Sequence, residues 1–192
     1  MAEFAKYFSA KLGGATGISQ YKAKVENRLS DLKEFVLDKN AAERMLSRGK
    51  DPLVYEVYEM PQEEPSEGTF NIGCTILYPG KVGNEYNFTK GHFHLKEPRS
   101  EIYIGMEGEG VILMQDREGN TAYVEIKPNV LVYIPPRTAH RSINTGKAKL
   151  VFLAIYFSDG GHDYDVIKTK GFKKLFVEKD GKSTVIDNPR YK

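Results

Sequence analysis

A chain of 192 residues with 40% hydrophobic and 28% charged residues suits one soluble domain with a sizeable core, or a small domain with an arm. Its net charge of +2 gives no electrostatic case for nucleic acid or an acidic membrane surface, and no run approaches the roughly 20 apolar residues that span a bilayer. The single cysteine, Cys74, cannot form an internal disulfide, and Met1-Ala2-Glu3-Phe4 carries an early acid with no apolar core, so a cytoplasmic setting without a signal peptide is expected.

Residues 1 to about 29 show little regular period. Leu12-Gly13-Gly14-Ala15-Thr16-Gly17 reads as a flexible turn that lacks the spacing and strand context of a phosphate loop. Ser30 is the expected N-cap of a short helical turn to Phe35. Asn40 to Gly49 reads as a second helix, with Asn40 as cap, Glu43 three residues on, and Gly49 as the left-handed stop. Residues 1–50 are therefore read as an arm with short helices, and 51–192 as a β-barrel domain with a C-terminal hairpin.

From Leu53 the period changes to that of strands. Leu53–Glu59 and Phe70–Tyr78 lead to Pro79-Gly80, and Asn87–His94 and Glu101–Glu107 follow. Val111–Gln115, Thr121–Lys127 and Val130–Ile134 come next. His140–Thr145 and Leu150–Phe157 complete the series, before a last hairpin around Asp180-Gly181. Short runs with a turn signal about every 8–12 residues describe an all-β sandwich or barrel. No alternation with long helices supports a doubly wound sheet. A double-sheet jelly roll is expected, with an interior able to hold a ligand.

The chemistry concentrates in Thr89-Lys90-Gly91-His92-Phe93-His94. On a strand, His92 and His94 at i, i+2 share one face, roughly 7 Å apart. A hairpin through Leu95–Ser100 would return the Glu101 carboxylate beside them, and Pro135-Pro136-Arg137-Thr138-Ala139-His140 delivers a third imidazole. An isolated H-x-H pair reads more simply as a solvated face or as core. Here all four histidines, at 92, 94, 140 and 162, lie in glycine- or proline-rich junctions. Three imidazoles and a carboxylate form a set for a divalent transition metal, and ligand type alone leaves Fe²⁺, Mn²⁺, Ni²⁺ and Zn²⁺ all admissible. A six-coordinate ion would keep two positions for substrate oxygens or water, a catalytic layout that stabilises a developing enediolate. By parity, Tyr103 and Gly105 share Glu101's inward face, Gly105 leaving space for substrate, while Ile102, Ile104 and Met106 face the core.

Tyr78-Pro79-Gly80-Lys81-Val82-Gly83, Thr89 to His94 with Glu101, Tyr133-Ile134-Pro135-Pro136 to His140, and Gly161-His162-Asp163-Tyr164 together resemble the archaeal cupin-type glucose-6-phosphate isomerases. The likeness runs from about Asp51 to Tyr191 and is weaker before residue 30. H-x-H with a later Glu and His is common to many cupins, whereas the TKGHFH and GHDY runs are much more specific. The resemblance implies a cupin double-stranded β-helix and an isomerase that interconverts glucose 6-phosphate and fructose 6-phosphate. It implies metal ligands at His92, His94, Glu101 and His140, with Glu101 also the candidate catalytic base. It implies a sugar-phosphate pocket at Tyr55, Thr75, Thr89, Gly91, Tyr103, Tyr156, His162 and Tyr164, and a homodimer whose N-terminal strands join the partner contact. A cupin dioxygenase, a mannose phosphate isomerase and a non-catalytic sugar-binding cupin are the competing readings. The Thr and Tyr hydroxyls favour a polyol phosphate over the apolar pocket of a dioxygenase.

Overall fold

The computed structural model describes residues 23–59 and 64–191. The glycine turn at 12–17 and the early part of the expected arm lie outside them.

The chain enters as β1 (Ala23–Arg28), turns through α1 (Leu29–Leu32) and α2 (Lys39–Ser47), and returns as β2 (Leu53–Glu59). The strand at β1 is absent from the sequence reading because one aliphatic residue, Val25, stands among charged and polar ones. Such a composition suits an edge strand, whose neighbour supplies its order. It pairs antiparallel with β2, with a register shift at Asn27/Arg28. The helix caps also differ from expectation. Ser30 lies inside α1, and its hydroxyl and backbone N–H both donate to Asp51, at 2.8 and 2.9 Å. Asn40 lies inside α2, where Asp38 caps by accepting the Ala41 N–H at 2.8 Å. Gly49 has the expected positive φ, +72°.

The strands that follow are β3 (Phe70–Leu77), β4 (Lys81–Val82), β5 (Glu85–Tyr86), β6 (Glu101–Glu107), β7 (Gly110–Gln115) and β8 (Thr121–Ile126). After these come β9 (Leu131–Ile134), β10 (Ala139–Ile143), β11 (Leu150–Phe157), a helix α3 (Asp165–Lys170), and the hairpin β12 (Lys174–Lys179) and β13 (Lys182–Asp187). They form three antiparallel sheets, in the orders β1-β2-β3-β11-β6-β9, β10-β7-β8 and β13-β12-β5-β4. The inner face of the six-stranded sheet, with Leu77, Tyr103, Val132, Ile134 and Phe152, packs against Ile112, Met114 and Ile126 of the three-stranded sheet. This is the expected jelly roll, the double-stranded β-helix of the cupins. The β12–β13 hairpin reaches the remaining side of β7–β8, where Phe176 meets Tyr123 edge-on at 5.2 Å. All six residues of β7 are consequently buried.

Three local expectations are corrected. Asn87–His94 is not a continuous strand: it is held by isolated bridges, Phe88 to Ile143, His92 to His140 and Phe93 to Asp163. Gly91, at φ +73°, interrupts the extended backbone between them. Ile102, Ile104 and Met106 do not enter the main core; Ile104 and Met106 pack on the sheet's outer face with Cys74, Ile76, Val151 and Leu153. Gly105 leaves no space for substrate, since an added Cβ would overlap the Lys127 carbonyl oxygen.

Candidate metal centre and substrate pocket

The centre is assembled by three segments meeting at one end of the barrel. The bridge between His92 and His140 joins the ligand loop to β10, with reciprocal backbone bonds of 3.3 and 3.2 Å. Glu101, the first residue of β6, pairs with Tyr156 of β11 and Ile134 of β9. His92, His94, Glu101 and His140 each offer one ligand atom, and these atoms all lie within 4.8 Å of one another. The i, i+2 pair thus shares a face despite the broken strand, with ring centroids 5.5 Å apart.

Two of the imidazole donor atoms lack a hydrogen-bond partner. His92 Nε2 and His140 Nε2 are buried without a hydrogen bond. His140 Nε2 lies 2.9 Å from Glu101 Oε2 but outside hydrogen-bond geometry, and His94 Nε2 is 3.3 Å from the same oxygen. Orphaned buried nitrogens are costly by about 1–3 kcal/mol each, and a shared cation would satisfy them together. His94 Nδ1 is 2.9 Å from the Arg99 carbonyl oxygen. A carbonyl only accepts, so Nδ1 carries a proton there, which would leave Nε2 to face a bound metal. Burial, then the neighbouring histidines His140, His162 and His94, hold His92 well below the usual imidazole range. It is therefore neutral, as a ligand must be. Burial alone would raise the Glu101 carboxyl, but His140 and His94 outweigh it and bring it to about 2. The four residues fit a divalent metal.

A cavity of about 610 Å³ opens from this centre. Tyr55, Thr75, Thr89, Gly91, Tyr103, Tyr156, His162 and Tyr164 all line it, with His92, Glu101 and His140. His162 meets the His92 ring edge-on at 4.3 Å and stacks with Tyr164 at 5.7 Å. Burial, and secondarily the Glu101 charge, keeps the Tyr103 hydroxyl protonated, well above its usual range. Gly91 fits for lack of a side chain: a Cβ there would sit 2.7 Å from Phe172 and 2.9 Å from the His140 carbonyl oxygen.

Sequence reading missed several participants. Glu59 lines the cavity and accepts the Tyr156 hydroxyl at 2.9 Å. Lys168, on α3, lines it too. Arg141 is buried between the rings of Phe88 and Phe172, at 4.0 and 4.8 Å, and donates to the Lys90 carbonyl at 2.8 Å. It holds the loop just before Gly91. Its clue is parity alone, since it follows His140 and must point away from the centre.

An antiparallel jelly roll with three histidines and a glutamate converging at one end is a cupin with a potential metal centre. The sequence profile of the family described as Glucose-6-phosphate isomerase (GPI) matches residues 26–191. A glucose-6-phosphate isomerase of Thermococcus kodakarensis is 51% identical over 177 residues, 92% of each chain. That of Thermococcus litoralis is 48% identical over 185 residues, 96% of each chain, and that of Pyrococcus furiosus is 45% identical over 96% of this chain and 97% of its own. The chain belongs to the glucose-6-phosphate isomerase family. Among solved structures, a mutant oxalate decarboxylase of Bacillus subtilis overlaps 57% of this chain and 27% of its own at 20% identity and a TM-score of 0.44. So distant a likeness adds nothing to the fold read from strand order.

Proposed function

We propose that this chain is a metal-dependent isomerase of glucose 6-phosphate and fructose 6-phosphate, cytoplasmic and homodimeric, with Fe²⁺ as the first candidate among Fe²⁺, Mn²⁺, Ni²⁺ and Zn²⁺. The observation that carries the reading is that the four-ligand cluster and a ring of Thr, Tyr and His side chains share one cavity. The dimension supports a hexose phosphate. Glu101 pairs with Tyr156, and Thr75 pairs with Phe152, four residues along β11. At 3.3 Å per residue the two ends are roughly 13 Å apart. A substrate can then lay its carbonyl end at the cluster and its phosphate toward Thr75, Thr89 and the backbone N–H of Gly91.

His92, His94, Glu101 and His140 would hold the metal. When bound, it polarises the C1 and C2 oxygens and stabilises negative charge on them. Glu101 moves the substrate proton from C2 to C1 through an enediol, being ionised and rigidly held. His162 and Tyr103 supply N–H and O–H groups for the accompanying passage of a proton from O2 to O1. Tyr55, Tyr156 and Tyr164 wall the cavity and exclude water. In D₂O this route places deuterium on the carbon that receives the proton, C1 of fructose 6-phosphate or C2 of glucose 6-phosphate; transfer of hydrogen without deuterium uptake would replace the proton route with a hydride shift.

The homodimer, with the N-terminal strands joining the partner contact, is carried over from the family resemblance. Light scattering at micromolar concentration reads the expected doubled mass of the 21.7 kDa chain.

The test is fructose 6-phosphate conversion by chelator-stripped protein with each metal added back, beside mannose 6-phosphate as an alternative substrate. Activity restored by metal on fructose 6-phosphate is expected. A folded, metal-loaded protein that turns fructose 6-phosphate into mannose 6-phosphate and not glucose 6-phosphate, or that is inert on fructose 6-phosphate and acts only with oxygen, would move it to a rival cupin activity.

A further inference from the structure

Outside the cluster, one set of charged side chains ties two segments of the site together with three short bonds. Asp159, in the turn after β11, accepts from Arg99 at both carboxylate oxygens, Nε to Oδ1 at 2.8 Å and Nη2 to Oδ2 at 2.7 Å. The Lys96 ammonium adds a third bond at 2.6 Å. The Arg99 guanidinium lies 4.8 Å from the Phe157 ring centroid, and the Arg99 and Asp159 side chains are only 13% and 15% exposed. The two-point planar grip is one that arginine makes and lysine does not. Arg99 and Lys96 hold the Asp159 carboxyl far below its ordinary range, so the grip persists across the physiological range.

Its position gives it a purpose. The Arg99 carbonyl is the acceptor that sets the His94 ring. Asp159 begins the segment that carries His162 and Tyr164 into the cavity. The two segments are also joined by backbone bonds, Lys96 N–H to the Gly160 carbonyl at 2.9 Å and the reciprocal Phe93–Asp163 pair at 3.1 and 2.8 Å. Gly160 packs beside the His94 ring: an added Cβ would lie 3.7 Å from its Cγ.

We propose that Arg99 and Asp159 are positioning residues that lock the His94 ring and the His162–Tyr164 segment into one unit, so that metal affinity and sugar-phosphate affinity are set together. This rests on the metal reading of the cluster. Neither residue touches the reacting atoms; each acts through a residue that does. A hydrogen bond made directly to a ligand, as the Arg99 carbonyl makes to His94, is typically worth 10–100-fold in metal affinity.

The test uses Mn²⁺ as probe, titrated into apo protein and followed by the electron paramagnetic resonance signal of free Mn²⁺. Asp159→Asn removes the charge and half the grip at constant size. It is expected to weaken Mn²⁺ binding about ten-fold and to raise KM for fructose 6-phosphate more than it lowers kcat, with Asp159→Glu restoring part of both. Glu67→Gln makes the same change of charge on the exposed second partner of Arg99, 3.2 Å away, and is expected to change neither. Should Asp159→Asn fail to fold, Arg99→Lys is read the same way. Mn²⁺ affinity and KM within two-fold of the parent in the folded variant overturn the inference, as does an equal effect from Glu67→Gln. A parent that binds no Mn²⁺ removes the metal reading, and with it this inference.

Discussion

Gly91 shows how a single residue shapes this centre, and Glu85 how a single residue sets stability away from it. At Gly91 the backbone takes φ +73° against Phe172 and the His140 carbonyl. Gly91→Ala must either strain that backbone or push His92 away from His140. It is expected to lower isomerisation at least ten-fold and to weaken metal binding, as read by a metal titration of the folded variant. Glu85 is a buried acid of β5 whose carboxylate accepts the Leu37 N–H at 2.7 Å. Burial raises it to about 7, against smaller opposing effects of the Leu37 N–H, Arg141 and Arg190. Between pH 4.5 and 7 the folded chain keeps a proton that the unfolded chain has released, so stability falls as pH rises through that window. From 4.5 to about 7 the loss is on the order of 3 kcal/mol, at 1.36 kcal/mol per pH unit. Glu85→Gln keeps the acceptor and removes the charge. Its stability relative to the parent, by urea denaturation, is expected to increase from pH 5 to pH 7; a constant difference contradicts this.

At the scale of elements, β6 is organised by Gly105, which bonds Val130 and Asn129 through its backbone at 2.9 and 3.1 Å. Gly105→Ala would drive a Cβ into the Lys127 carbonyl. It is expected to destabilise the fold by about 2–4 kcal/mol, read as a lower urea midpoint, whereas a role in substrate space would alter KM alone. Much of the pattern around β6 was legible beforehand. Alternation in Glu101–Glu107 separates cavity from outer face, and the turns at Pro79-Gly80 and Asp180-Gly181 mark strand ends. What periodicity could not supply was pairing. Edge strand β1 has too few apolar residues to announce itself, and β4 and β5 are two residues each. Helix α3 follows a glycine turn with no side-chain cap. The ligands were legible because the chain's four histidines, a scarce residue type, all fall in turn-rich junctions. Arg141 and Asp159 were not, because their value lies in contacts across 51 and 60 residues of sequence, to Lys90 and Arg99.

For the molecule as a whole, the buried orphan nitrogens of His92 and His140 mean that a metal bound there, as proposed, would be linked to folding. A metal that binds only the folded chain, at a hundred times its dissociation constant, stabilises it by about 2.7 kcal/mol. Thermal unfolding of apo protein is therefore expected several degrees below that of the loaded protein, and His140→Ala should abolish the difference. The most direct measurement is the isomerisation rate of apo protein as Fe²⁺ or Mn²⁺ is added in substoichiometric steps without oxygen. A rate that rises linearly and stops at one metal per chain, and that stays near zero throughout in His92→Ala, is the predicted result. Full isomerase activity in the chelator-stripped chain, indifferent to added metal, would contradict the centre and the chemistry assigned to it.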